Sequence, residues 1–552
     1  MNRAPFTHPG STTPEPSNPS HFREWIFRIL FFLFLFAVFY ASPVVKLGDS
    51  KYTMLLSEHL LLHGSFRLDR YLWPHVDSRS YPEVPPGEHW PRHFIRLKEH
   101  AYYVYPHGTA LFTVPLTGLM RLAGWSAIDK NGQYSLEGDK KMQKFAAAFL
   151  SAIVCVLFFM TARLLLKPAP SLLLALAGGL TGPLWSTASR SLQSHTWNAV
   201  FLAAVLYAIL RVETGRGKMR PVLLASLLAG GFYVRPTAWV YIIPLTIWMF
   251  FRHRKRIFPF LAAGAFWLAL FVVYSWSHFG TLLPTYYRLG TAMSTEFLGK
   301  GLQSAMISPS RGLLIYFPAV LIPFLLISLT FRRLHFKALF YAGMAVLLLN
   351  LTVISTWWCW WSGGGGTYGA RYWTDTVPVF VLMTILGLQA FFDDQKRKEH
   401  NPRLSILPRY AFLTAGLFLL LGSGLVINGA GALSKFAGRW NDQPVPIDQN
   451  PQRIFDWRHP QFWCAIFPTK ISGRIETAGG GPVAGVRISF SQGGGQTSTD
   501  AQGFYRKAIG YGWSGKVRPL GKRYRFTPRF REYDRIAKNR SGQDFTCTPL
   551  RR

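Results

Sequence analysis

Negative charge is what this chain has least of. Its 552 residues include 26 Asp and Glu against 61 Lys and Arg, a formal net charge of +35, and charged residues of both signs reach only 16%. Soluble domains carry roughly 25% charged residues, so a water-exposed globular protein is excluded. Cysteine is scarce too. The four, at 155, 359, 464 and 547, fit no metal-binding spacing and are too few for a disulfide scaffold. No cleaved leader is expected: Met1 to His21 is polar and rich in Pro, Ser and Thr, and no small-residue cleavage site follows the first apolar run, which is therefore expected to stay as an anchor.

What is present in quantity is apolar. Hydrophobic residues make up 49% of the chain, with 44 Phe and 19 Trp. Runs near the length that crosses a bilayer, roughly 20 residues, recur. The first spans Ile26 to Val45. Others run at Phe145 to Leu166, Ser171 to Thr187, Trp197 to Leu210, Val222 to Val234, Ala238 to Phe251, Phe258 to Ser277, Leu313 to Phe331, Ala338 to Ser355, Val377 to Phe392 and Tyr410 to Ile427. The expected fold is a polytopic α-helical membrane protein of about eleven transmembrane helices.

Lys and Arg of short loops favour the cytoplasmic side. With Met1 inside, every second connection should be basic, and the sequence alternates that way: Arg163 with Lys167, Arg211 to Arg220, Arg252 to Arg256, Arg332 to Lys337, and Lys396 to Arg409. This places much of the basic surplus beside lipid headgroups and sets nucleic acid aside as a partner. The opposite set holds a long first loop, Lys46 to Tyr105, expected to face the periplasm. Within it Tyr52 to His63 has helical apolar spacing with Glu58, His59 and His63 interleaved, which suits a helix lying in the interface and stopped by Gly64. From Tyr105 to Leu122 a Pro-containing apolar stretch is expected to rest on the outer leaflet.

From Lys470 the text changes to short alternating strands parted by Gly-rich turns, which points to a periplasmic β-sandwich over 470–552. The remaining divisions are a disordered cytoplasmic lead, 1–23, the membrane domain, 24–430, and a linker, 431–469. A disulfide between Cys464 and Cys547 is open at this point.

The polar motifs gather on the outer face. Asp49 opens the first loop, Arg235 interrupts an apolar stretch before Pro236, Arg311 precedes a span, and Arg371 ends a segment holding Trp357, Trp358, Trp360, Trp361 and Gly363 to Gly366. One such Arg is an interfacial anchor, but three on one face suit a lipid phosphate, which guanidinium grips through paired hydrogen bonds. The Gly run is either a flexible turn or a backbone that a sugar or anion approaches closely.

Taken together, Gly48-Asp49-Ser50 followed by a helix ending His63-Gly64, the Tyr105-Pro-His-Gly-Thr-Ala-Leu111 stretch, Arg235-Pro-Thr-Ala238 and Tyr368-Gly-Ala-Arg-Tyr372 resemble the GT-C superfamily of integral-membrane glycosyltransferases, relatives of protein mannosyltransferases and aminoarabinose transferases. The resemblance covers residues 24 to 430. It implies an inverting transfer of a sugar from a polyprenyl-phosphate donor to an envelope glycan, lipid or protein acceptor at the outer face of a bacterial inner membrane. It implies Asp49 as base with Glu58 in reserve, Arg235, Arg311 and Arg371 on the donor phosphate, and Tyr105, His107, His195, Trp361 and Tyr368 around the substrate. Two departures stand out. Many relatives carry a second loop acid between the third and fourth spans, where this chain has Ser189 to His195 without a carboxylate, and His107 replaces a proline. No cofactor is expected, and a divalent metal is less supported than in relatives with two loop acids. The β-region resembles the immunoglobulin-like modules related to carboxypeptidase regulatory domains; its sequence holds no catalytic grouping, so interaction with envelope polymer or a spacer role is expected. A lipid transporter or a noncatalytic assembly protein are the rival readings; neither an internal repeat nor an acid inside the expected spans supports transport.

Overall fold

A computed structural model describes residues 19–71, 93–97, 100–288, 292–399 and 407–550. Among these, seven helices are long and apolar enough to cross a membrane: Phe22–Ala41, Leu136–Ala162, Ser194–Glu213, Arg254–Phe279, Lys337–Thr356, Arg371–Arg397 and Ala415–Leu433. Helices Pro168–Leu180 and Pro221–Val234 are apolar but shorter. Of the two other expected spans, one is a continuous helix of 14 residues and the other is interrupted. Pro244 sits inside Trp239–Arg252, and the stretch from Leu313 breaks at Pro318, where a ring nitrogen without a hydrogen leaves the helical ladder incomplete. The chain is a multi-pass membrane protein, and among the described residues seven segments form helices of full crossing length.

Burial separates centre from rim. The helix starting at Arg371 has 78% of its apolar window buried, whereas Phe22–Ala41 and Arg254–Phe279 have 17% and turn Phe34, Phe258, Phe266 and Trp276 outward to where lipid belongs. Small residues bring the central helices close. A Cβ on Gly179 would lie 2.6 Å from the Cys155 sulfur, so Cys155 is a packing residue.

The first loop is fixed by the helix Leu136–Ala162. Asp139 accepts from the N–H groups of Tyr52 (3.0 Å) and Met54 (3.3 Å) and from the Tyr134 hydroxyl (2.8 Å), supplying a carboxylate to the unpaired first turn of helix Thr53–His63. Gln143 donates to the Ser50 carbonyl (2.7 Å). Gly64 ends that helix at φ 61°, as expected from a residue without Cβ. Strands β1 (Phe94–Leu97) and β2 (His100–Tyr103) form an antiparallel pair that carries Tyr103 and Tyr105 back toward Gly48 to Ser50. The rest of this loop, 72–92, lies outside the described residues, as does the lead before Pro19.

Between 431 and 469 the chain is folded against the membrane part. Helices Phe436–Asp442 and Gln461–Ile466 and the turn Pro451–Phe455 bury Trp440, Ile447, Ile454 and Cys464 against Trp360. Beyond it lie β3 (Lys470–Thr477), β4 (Arg487–Phe490), β5 (Gly495–Ser498), β6 (Phe504–Ala508), β7 (Trp513–Leu520), β8 (Tyr524–Thr527), β9 (Arg531–Ile536) and β10 (Phe545–Pro549). They make two four-stranded sheets, β6-β3-β10-β8 and β5-β4-β7-β9. Alternate residues such as Ile471, Ile475, Ile488, Phe490, Val517 and Phe545 point between the sheets around Trp513. All four cysteines are free thiols: Cys547 lies in the sandwich core and Cys464 against Trp440, so they are not paired.

Candidate active site

Asp49 sits where three supports meet. With Asp139 and Gln143 holding the turn around it, its main-chain carbonyl accepts a hydrogen bond from the Tyr103 hydroxyl. Its side chain takes a guanidinium hydrogen bond from Arg371 (2.9 Å) and one from the Tyr105 hydroxyl (3.1 Å). The side chain is still 38% exposed. An ion pair between residues 322 positions apart thus welds the first loop to the last buried span.

Arg371 stands at the end of the Trp/Gly segment. Gly363 (φ 73°) and Gly365 (φ 56°) use left-handed backbone that side chains resist. At Gly366 the constraint is space: a Cβ there would lie 2.9 Å from the Lys46 Cβ and 3.1 Å from its Cα. The glycine run is therefore more than a loose turn. It lies directly on Lys46.

Lys46 is buried. Its ammonium donates to the Ser186 carbonyl (3.1 Å) and lies 4.4 Å from the centre of the Tyr368 ring. Among the described residues no carboxylate pairs with it. Burial, with Arg190 and Arg311 repelling in the same sense, pushes its pKa well below that of an ordinary lysine. Arg190 is occupied elsewhere, donating to the carbonyls of Phe39 (2.5 Å) and Ser42 (3.4 Å) at the C-terminal end of the first helix.

A second carboxylate comes from an unexpected part of the chain. Asp375, buried, accepts from His195 Nδ1 (3.0 Å) through one oxygen and lies 2.6 Å from Arg235 Nε through the other. Arg235 also donates to the Ser194 hydroxyl (3.0 Å). The connection that lacks an acid, Ser189 to His195, meets one supplied by the turn Arg371–Thr376. His195 thus has a structural partner of its own behind the cavity wall.

Asp49, Tyr105, Arg235, Trp361 and Arg371 line one cavity of about 610 Å³, together with Lys46, Tyr286, Trp358 and the Gly363 to Gly366 run. Asp448, from the stretch first expected to be a linker, closes its mouth and accepts from the Trp361 indole (2.7 Å). A second, apolar groove of about 960 Å³ runs between Pro43 to Val45 and Leu425, Val426 and Leu433 and shares Lys46 and Gly366 with the first.

Four expected site residues lie elsewhere. Glu58 is fully buried on the opposite side of its helix, where Arg121, Ser126 (2.7 Å) and the Ala127 N–H (2.7 Å) consume its oxygens. It holds a helix against a loop and cannot reach the cavity. His107 is enclosed between Tyr274 and the Tyr103 carbonyl (2.7 Å). Arg311 donates to Gln461 (2.5 Å), Asn441 (2.8 Å) and the Trp361 carbonyl (3.0 Å), tying the Trp/Gly segment to helices Phe436–Asp442 and Gln461–Ile466. Tyr368 is buried beneath Lys46, with its hydroxyl on the Ile427 carbonyl (2.6 Å). Sequence reasoning missed Lys46, Tyr286, Asp375 and Asp448. Lys46 had a signal, since it is the first charge after an apolar run and three residues before Asp49.

Among the described residues no three His, Cys, Asp or Glu side chains come together. The Asp49 oxygens already serve Arg371 and Tyr105, and the surrounding charge is positive. This donor set suits an anion rather than a divalent cation.

Residues 133–276 match the family model for dolichyl-phosphate-mannose-protein mannosyltransferases. That stretch contains Asp139, Arg190, His195 and Arg235. No curated protein sequence matches the chain. Among solved structures, the apo crystal structure of the Archaeoglobus fulgidus oligosaccharyltransferase is 12% identical with a TM-score of 0.44, over 84% of this chain and 63% of that one. The archaeal oligosaccharyltransferase AglB from Archaeoglobus fulgidus, in complex with an inhibitory peptide and a dolichol-phosphate, is 11% identical with a TM-score of 0.45, over 83% and 62%. The chain spans less than two thirds of the length of these structures. On the family match and the motifs from Asp49 to Arg371, the chain is similar to the GT-C superfamily of integral-membrane glycosyltransferases.

Proposed function

We propose that this protein transfers a sugar from a polyprenyl-phosphate donor to an acceptor hydroxyl on the periplasmic side of a bacterial inner membrane, by a single inverting displacement. The observation that carries the reading is the Asp49–Arg371 ion pair in the wall of a polar cavity that meets an apolar groove at Lys46. The isoprenoid tail occupies the groove, the phosphate meets Lys46 at the junction, and the sugar enters the cavity. Asp49 accepts the acceptor's proton as its oxygen bonds to the anomeric carbon, and the breaking carbon–oxygen bond leaves its electron pair on the phosphate. Lys46 and the edge of Arg371 answer that charge. Arg235, neutralised by Asp375, shapes the wall.

Lys46 gives the reading a pH signature. Its pKa is depressed in the free protein and restored when a phosphate anion sits beside it. Donor affinity is therefore strongest at low pH, where the ammonium is protonated in both states, and falls as pH rises through the free-state pKa toward the bound-state value. Binding of a polyprenyl phosphate from near neutral to alkaline pH should weaken in the wild type and stay nearly flat, about tenfold weaker at the acid end, in Lys46→Gln. A Lys46→Gln variant with unchanged affinity and pH profile removes Lys46 from the donor site.

Gly366→Ala tests the same junction without removing a charge. The added Cβ presses on the Lys46 main chain, which cannot swing away as a side-chain tip can. Displacement of about 1 Å lowers transfer by roughly ten- to a hundredfold. Gly264, with nothing within 4 Å of an added Cβ and outside both cavities, is the control, and Gly264→Ala should transfer normally.

A further inference from the structure

The β-sandwich carries a charge pattern that sugar transfer does not use. From residue 518 to 531 six side chains are basic, Arg518, Lys522, Arg523, Arg525, Arg529 and Arg531, and none is acidic. The first five are exposed and form no ion pair among the described residues. Arg531 donates to the Asp544 main-chain carbonyl (2.8 Å). Phe530 stands among them and is 41% exposed, whereas Tyr524 and Phe526 lie on the other face of β8, against the sandwich core.

Topology gathers these residues on one side. β8 is the edge strand of one sheet and β9 of the other, so the segment from the end of β7 through β8 to β9 closes a single margin of the sandwich. Edge strands often carry charges that block edge-to-edge aggregation. One or two charges of either sign achieve that. Six of one sign, beside an exposed ring, go further.

The position favours a soluble partner over the bilayer. The sandwich docks on the membrane part near the start of β7: Arg439 donates to the carbonyls of Ile509 (3.3 Å) and Gly493 (2.6 Å), and Tyr511 stacks on His459. The basic turn Gly521 to Arg523 follows the other end of β7, an eight-residue strand that spans roughly 23 Å at about 3.3 Å per residue. The basic turn and the docking contact thus lie at opposite ends of β7.

We infer that this margin binds an anionic polysaccharide, with guanidinium groups on its carboxylate or phosphate groups and the exposed Phe530 ring against a pyranose face. The surface is independent of the transfer site, and its test reads binding alone. Full-length protein in phosphatidylcholine nanodiscs is titrated with fluorescein-labelled alginate, a polyuronate, and with labelled neutral dextran. Alginate should bind, dextran should not, and binding should weaken as salt rises. Replacing Arg523, Arg525 and Arg529 together by Ala should cost about tenfold in affinity with an unchanged melting temperature, and replacing them by Lys should restore most of it. Asp49→Asn should bind alginate like the wild type, so a failure of the transfer reading leaves this result untouched. The inference is overturned if the triple Ala variant binds as well as wild type, if dextran binds equally, or if phosphatidylglycerol vesicles outcompete alginate.

Discussion

Asp49→Asn is expected to lower sugar transfer about a thousandfold, within the range of roughly 10² to 10⁴ that a positioned base contributes. Asn keeps the shape of the side chain, and its amide oxygen can still accept from Arg371, so the turn held by Asp139 and Gln143 should persist. What disappears is a lone pair basic enough to take a proton. Donor capture, assigned to Lys46 and the apolar groove, should survive, and the loss should appear in kcat far more than in donor KM. An Asp49→Asn protein retaining more than about a tenth of wild-type turnover would assign the carboxylate to holding Arg371, with proton transfer elsewhere.

Asp375→Ala should act on stability. The variant leaves Arg235 and His195 buried without their shared carboxylate, and removing one partner of a buried ion pair costs about 3–5 kcal/mol because the other charge stays uncompensated. A fall in melting temperature of the detergent-solubilised protein, far larger than for Asp49→Asn, is the expected reading. Asp375→Asn, which still accepts from Arg235, should fall between. Because Arg235 lines the cavity, transfer should drop as well, but melting at the wild-type temperature would deny the triad its structural role.

What was legible in the sequence follows from how locally each feature is encoded. Asp49 stood out because an apolar run ends just before it, and the Gly64 stop and the alternating strands after Lys470 depend on near neighbours. The eleven apolar runs were readable as membrane segments, but their continuity was not: the run from Leu313 breaks at Pro318, whereas the helix Trp239–Arg252 continues through Pro244. The residues misassigned or missed depend on distant partners. Glu58 looked like an interfacial acid until the turn at Ser126 and Ala127 closed on it. Arg311 looked like a phosphate ligand because its acceptors, Asn441 and Gln461, lie 130 and 150 residues away in a stretch that reads as linker. Asp375 lies two residues ahead of an expected span, and nothing near it announces His195, 180 residues earlier. A lone charged residue in such a chain shows its type in sequence, but its role only through its counter-charge.

The central claim, that the cavity at Asp49 and the groove at Lys46 together hold a lipid-phosphate sugar, is tested most directly by intact-lipid mass spectrometry of the protein purified from its native membrane. The account predicts a polyprenyl-phosphate glycoside bound near one per protein, enriched in Asp49→Asn and depleted in Lys46→Gln. Recovery of ordinary phospholipids alone, in equal amounts from all three proteins, would contradict it.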